Sequence, residues 1–212
     1  MSYLIRNEIA SEHRRVEEIT REAFWNVHVP GCDEHYLASR MRDHEDFVSE
    51  LDYVLLYDDQ VIGNIMYTRS HLIGSDGREI ETLTFGPVSI LPEFQRRGFG
   101  SRLIEYSMDQ ATKQNWAAIV IYGNPSNYVG QGFKSCKRYD VTDSRGGFPS
   151  ALLVKELIPD VLKGSTWTYR ESSAFELDLT KFAEYEATFP PLVKEEKPSQ
   201  EEFFILSNSV IV

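Results

Sequence analysis

Gly86-Pro-Val-Ser-Ile-Leu-Pro-Glu-Phe-Gln-Arg-Arg-Gly-Phe-Gly-Ser101 is the stretch whose reading decides this chain. It begins inside an apolar, strand-forming run from Leu83 to Leu91, which Gly86-Pro87 interrupts. Pro92 ends the run, because proline has no N–H to give a ladder. Gln95-Arg96-Arg97-Gly98-Phe99-Gly100 follows as a glycine-punctuated loop. From Ser101 to Gln114, Leu103, Ile104, Ser107, Met108 and Ala111 then recur at helical spacing. Strand, loop and helix in this order present unpaired backbone N–H groups and a positive helix end to an anion. Gly98 and Gly100 allow an approach that side chains would block. Arg96, Arg97 and Arg102 add positive charge where a helix start disfavours it unless an anion is present. A diphosphate fits these requirements, although an ordinary strand–turn–helix connection would use the same glycines. The loop lacks the Gly-Lys-Ser/Thr ending of a P-loop and is too short for the three-glycine dinucleotide fingerprint.

The 212 residues suit one domain of moderate size, or one domain with an appendage. A hydrophobic content of 42% with 12% aromatics is enough for a core, which argues against disorder. The net charge of −11 speaks against a nucleic-acid partner, because no basic excess exists to displace phosphate counterions. Cys32 and Cys136 form no disulfide pattern, the N-terminus lacks the apolar core of a signal peptide, and no window approaches the ~20 apolar residues of a membrane span. The expectation is a cytoplasmic, reduced protein with no membrane partner.

Read in order, Tyr3 to Ile9 is a strand and Ser11 caps a helix through Val16, Ile19 and Phe24. Asp33 caps a second helix, and Leu51 to Tyr57 with Val61 to Ser70 forms a hairpin. Ala117 to Tyr122 is a continuous apolar run ended by Gly123-Asn124-Pro125, as expected of a strand buried on both faces. A short helical segment from Ser126 follows, then strands over Phe133 to Val141 and Ala151 to Leu157. The order β-α-α-β-β-β-α-β-α-β-β predicts an α/β (α+β) mixed sheet flanked by helices. Beyond residue 160 the composition changes. Thr166 to Tyr169 and Phe175 to Leu179 read as small strands, and Ala183 to Ser199 as a solvated connector. Phe203-Phe204-Ile205-Leu206 and Val210-Ile211-Val212 read as β-prone segments that need a docking surface, on this chain or on a partner. The division is therefore 1–160 and a C-terminal extension, 161–212, whose apolar end makes a homodimer plausible.

Three features coincide: the Gln95–Gly100 loop after a strand carrying Pro87-Val88-Ser89-Ile90, an apolar strand ending at Gly123-Asn124, and Tyr128 followed at a fixed distance by Gly132-Phe133. Together they resemble the GNAT (GCN5-related) N-acetyltransferases over about Tyr3 to Leu157, and the extended ending is similar to the YhbS-like branch. The resemblance implies a mostly antiparallel sheet of about six or seven strands. It also implies acetyl-CoA as co-substrate and an amine acceptor, either a small molecule or a protein. By resemblance, the strand residues Val88, Ser89 and Ile90 would hold the pantetheine arm. Gln95, Arg96, Arg97, Gly98, Phe99, Gly100 and Ser101 would hold the diphosphate. Asn124 would meet the pantetheine, and Tyr128 would protonate the departing CoA thiolate.

The chemistry needs a proton acceptor as well, since an amine attacks a thioester only when neutral. Glu79 and Glu81 are the candidates near the central strand, with Glu81 preferred through a water relay. Thr84 stands where several members of the family place a glutamate, a departure that weakens the case for a direct carboxylate base. Trp25, His28, Glu34 and His35 lie in the region that commonly lines the acceptor site of the family. Cys32, Asp33 and these histidines match no zinc spacing, and the expectation is no metal. The rival reading is a non-catalytic acyl-CoA-binding or interaction module. A pure binder has no need of a phenol at position 128.

Overall fold

The computed structural model describes residues 3–212. Its elements in chain order are β1 (Tyr3–Asn7), α1 (His13–Phe24), α2 (Glu34–Met41), β2 (Tyr53–Tyr57), β3 (Gln60–Gly74), β4 (Glu79–Ile90), α3 (Phe99–Lys113), β5 (Ala118–Tyr122), α4 (Pro125–Tyr128), β6 (Lys134–Ser135), β7 (Val141–Thr142), β8 (Leu152–Glu156), β9 (Trp167–Arg170), α5 (Phe182–Glu186) and α6 (Pro198–Ser207). The strands form one sheet in the order β1-β2-β3-β4-β5-β8-β6, with β9 pairing both β3 and β7. Only β4–β5 and β7–β9 are parallel. The sheet has nine strands against the six or seven expected. The excess comes from two two-residue strands and from β9 of the extension.

Strand alternation places the helices on both faces. On β3, Asn64 meets Thr20 of α1, and Met66 packs with Ala38 and Met41 of α2. Tyr67 points the other way and shares a 2.8 Å hydrogen bond with Ser107 of α3. The helical spacing read for α3 holds, since Leu103, Ile104, Ser107, Met108 and Ala111 are all buried. A second core gathers Leu72, Val120, Leu152, Val154 and Trp167, so the extension contributes to the interior of the sheet. No helix of the described residues is long and apolar enough to cross a membrane.

Local chemistry changed several boundaries. Ser11 caps nothing: it lies within a 3₁₀ turn, and the Glu12 carboxylate accepts from the Ile9 N–H while binding Arg6. Asp33 stands at the N-cap of α2 without a side-chain cap bond. The strand expected over Phe133 to Val141 is broken by a 3₁₀ turn, Cys136–Tyr139, entered by the Ser135 hydroxyl accepting from Lys137 N and left through Asp140 at φ 51°. Phe175 to Leu179 is not a strand. A 3₁₀ turn over Ser173–Phe175 replaces its start, with Ser172 capping Ala174 N.

The largest correction concerns Phe203 to Leu206, which lie in helix α6 and not in a strand. Pro198 at its first turn presets helical φ, and Ser, Gln and Glu follow it. Val210 and Ile211 do take extended pairing, against Phe148 to Ser150.

Candidate active site

Strands β4 and β5 share one parallel pair, Leu83 opposite Ile119, and then diverge. β4 continues to Ile90 still hydrogen-bonded to β3, with a register shift opposite Gly86-Pro87. From residue 84 onward its other edge has no strand partner. The Ile90 carbonyl accepts from Gln95 Nε2 at 2.9 Å, so its edge faces away from β3, and the two-residue period turns the Val88 edge the same way. A cleft of about 750 Å³ occupies this opening, lined along one side by Thr84 through Ile90 and by Gln95.

Beyond Gln95 the loop turns through Arg96 and Gly98, both with left-handed φ (59° and 82°), and α3 begins at Phe99 with no side-chain cap. Arg102 N is the first amide to bond back, to the Gly98 carbonyl, which leaves the N–H groups of Phe99, Gly100 and Ser101 without helical acceptors. A Cβ on Gly100 would find only Ile90 Cγ1, at an ordinary 3.7 Å. Nothing in the fold itself therefore demands glycine there. The Phe99 ring is buried against Tyr57 and Phe94, which fixes the start of the helix.

The β5 side of the opening ends in Gly123, Asn124 and α4. Asn124 caps α4 through Oδ1, accepting from Ser126 N at 3.0 Å, and among the described residues its Nδ2 donates to no partner. Tyr128 packs against Phe85 and Phe133, and burial pushes its phenol up to about 12. Among the described residues its hydroxyl has no hydrogen-bond partner, and it lines the cleft. A phenol held neutral at the end of an open strand can give its proton to a leaving group.

Residues 17–133 match the acetyltransferase (GNAT) family. The chain belongs to that family. It is 26% identical over 164 residues to the uncharacterised N-acetyltransferase YhbS of Escherichia coli, covering 77% of this chain and 92% of that one. The fold is that of the crystal structure of E. coli YhbS in complex with CoA, with a TM-score of 0.71 at 22% identity over 83% of this chain and 93% of the other. A GNAT acetyltransferase from Brucella melitensis in complex with acetyl-CoA superposes with a TM-score of 0.66 at 22% identity, over 82% and 98% of the two chains.

The wall of this cleft away from the Gln95–Gly100 loop is only partly what the resemblance implied. His28 and Glu34 both line it, bonded to each other at 3.0 Å. Trp25 and His35 do not. The Trp25 indole N–H donates to the Val193 carbonyl at 2.8 Å. His35 is fully buried, with Nε2 2.8 Å from Glu186 and Nδ1 3.5 Å from Cys32, and desolvation holds its imidazole below the usual range. Both anchor the extension, whose Glu186 also pairs with the buried Arg21. Cys32 is buried and its thiol is raised far above the usual range, so the Cys32–His35–Glu186 row holds no nucleophile. Among the described residues no group of three His, Cys, Asp or Glu side chains is arranged to hold a metal ion.

Glu81 is likewise outside the cleft, half exposed and 3.7 Å from Arg69 on the sheet surface. Thr84 does line it, with its hydroxyl 2.6 Å from the Tyr169 hydroxyl and donating to Ser70. The sequence missed two features of this wall. Phe203 of α6 stacks on His28 with ring centroids 4.4 Å apart, closing one side of the cleft. Glu171, just after β9, is the other. Its position follows from the pairing of β9 with β3, for which local sequence carries no signal.

Proposed function

We propose that this protein is an acetyl-CoA-dependent N-acetyltransferase, that residues 1–160 form the acyltransferase domain, and that extension 161–212 completes its acceptor wall. The unpaired edge of β4 carries the reading. A pantetheine arm is a short amide chain, and it extends the sheet by bonding to the backbone at Val88 and Ile90, with Ser89 on the closed side. The free N–H groups from Arg96 to Ser101 receive the diphosphate at the positive end of α3, with the Arg96 and Arg97 charges beside them. Asn124 Nδ2 reaches the pantetheine from the β5 side.

The acetyl group then lies where β4 and β5 part. A neutral amine attacks its carbonyl carbon, a backbone N–H of β4 stabilises the oxyanion in the cleft, and the C–S bond breaks. Tyr128 protonates the departing sulfur, a contribution of about 10²–10⁴ in rate. Transfer is direct, in a ternary complex: no cysteine lines the cleft, and the hydroxyls of its serines, Ser89, Ser199 and Ser207, donate to Asn64 and to the carbonyls of Val27 and Phe203 instead of to a base that would activate them. A neutral, unbonded phenol at the point of divergence has a use in transfer and none in simple CoA binding, which favours the enzyme over an acyl-CoA-binding module.

Following free thiol release from acetyl-CoA with a panel of primary amines tests the reading. Amine-dependent thiol release that stops in Tyr128→Phe supports it. Acetyl-CoA binding with no turnover on any amine contradicts it in favour of the binding module.

A further inference from the structure

Glu171 is placed by its neighbours. Tyr169, two residues earlier, is tied to Thr84 of β4 by a 2.6 Å hydrogen bond and packs its ring 6.0 Å from that of Tyr122 at the end of β5. Arg170 turns to the sheet surface and pairs with Glu79. Ser172 is buried, donating to Asp46 Oδ2 at 2.6 Å and capping the turn that follows. With both neighbours fixed, Glu171 lines the same cleft as Thr84 of β4. Among the described residues it has no ion-pair or hydrogen-bond partner.

The composition of the cleft supplies the second observation. Glu34, Glu171 and Glu202 line it, while no lysine or arginine does. Its apolar walls are Phe24, Phe175 and Phe203, with Tyr122 at the rim. A carboxylate-bearing acceptor would meet three acids and no cation there. An ammonium group on an apolar body would meet charge and rings that suit it.

Building on the acetyltransferase reading, we propose that Glu171, supplied by the C-terminal extension, is the base that deprotonates the acceptor, and that the acceptor is a cationic amine on an aromatic or other apolar body. The ammonium gives one proton to the Glu171 carboxylate and becomes a nucleophile. Its nitrogen forms a bond to the acetyl carbon, and the bond from that carbon to sulfur breaks. The sulfur leaves with the Tyr128 proton. The nitrogen sheds its second proton, which restores the Tyr128 phenol through water, and Glu171 releases the first to solvent. The products are an amide, free CoA and one proton. Glu171 is exposed at the cleft; desolvation first and the Glu176 charge second push its carboxyl up to about 7. A base so tuned accepts a proton near neutral pH.

The test compares wild type with Glu171→Gln and Glu171→Asp, using 2-phenylethylamine and phenylalanine, which share a ring and differ in a carboxylate. Acetyl-CoA affinity is measured for each protein by calorimetry. The expected result is transfer to 2-phenylethylamine at least tenfold faster than to phenylalanine, rising with pH through about 7. In Glu171→Gln that rise disappears and turnover falls by about 10²-fold or more at unchanged acetyl-CoA affinity, with Glu171→Asp intermediate. Equal use of the two amines, or use of neither, overturns the acceptor class. A Glu171→Gln enzyme with wild-type turnover and pH profile overturns the base. An NMR titration of isotope-labelled glutamate carboxyls, assigned with Glu171→Gln, decides the base independently of the acceptor: titration near the ordinary value of about 4.3 overturns it. If wild type does not bind acetyl-CoA, the acetyltransferase reading itself is the part that fails.

Discussion

Leu83 and Ile119 face each other across parallel strands, and beyond this pair the sheet is open. The side chains on either edge of the opening come from distant parts of the chain: β4 and Gln95 on one side, Tyr128 and the extension on the other. Each supports a separate expectation.

Gly123 makes room for the Tyr128 ring. A Cβ at position 123 would overlap the ring edge, with Cδ2 at 2.9 Å. Gly123→Ala should therefore move the phenol while leaving the Gln95–Gly100 loop in place. Turnover is expected to fall at least tenfold, approaching Tyr128→Phe, with acetyl-CoA affinity little changed. Steady-state kinetics beside calorimetry will check this, and full activity in Gly123→Ala would show that the ring position is unimportant.

Gly100 separates folding from binding. It lies in the first turn of α3 with space for a methyl group, so Gly100→Ala should stabilise the fold by up to ~1 kcal/mol in thermal denaturation. The same methyl group would stand between the helix amides and a diphosphate, and acetyl-CoA affinity should drop at least tenfold. A variant that is both more stable and normal in affinity would remove Gly100 from the phosphate site.

Glu186 holds the extension to the first two helices through Arg21 and His35. Glu186→Gln leaves the buried Arg21 guanidinium without its counter-charge, at a cost of about 3 kcal/mol. Limited proteolysis should then cut between residues 187 and 198 sooner than in wild type. Unchanged stability would show that the ion pair is not what docks this segment.

Asp52 gives the fold a pH dependence. It is buried beside Glu8 and Arg42; desolvation, then the Glu8 charge, raise its carboxyl to about 9. A carboxyl raised above its unfolded value favours the native state while protonated. That advantage is complete below the unfolded value, about 4, and is lost as pH climbs towards about 9. Asp52→Asn should match wild type in melting temperature below about pH 4 and exceed it by an amount that grows as pH rises from there towards about 9. A constant difference across the range would contradict this account.

The parts of the fold legible in the sequence are those set by local pattern. Leu103, Ile104, Ser107, Met108 and Ala111 announce α3 because a helix needs only its own spacing, and Gly98 announces the turn before it because φ near 82° favours glycine. The family followed from short motifs at fixed separations. Phe203 to Leu206 misled because their β-propensity is real, while the helix start at Pro198 and the packing of Phe203 on His28 outweigh it. His35 and Trp25 sit at the right place in sequence for an acceptor wall, but Glu186 and Val193 of the extension hold them outside the cleft. Glu171 carries no motif. Its place depends on β9 joining β3, a contact between distant segments that periodicity does not report.

The most direct measurement is calorimetric titration of the full chain with acetyl-CoA, alongside CoA and ATP. The unpaired edge of β4 and the open amides of α3 predict micromolar binding of acetyl-CoA and CoA, with ATP silent. Absence of binding to either CoA species would mean that the divergence after Leu83 and Ile119 holds no pantetheine, and the proposed activity would fall with it.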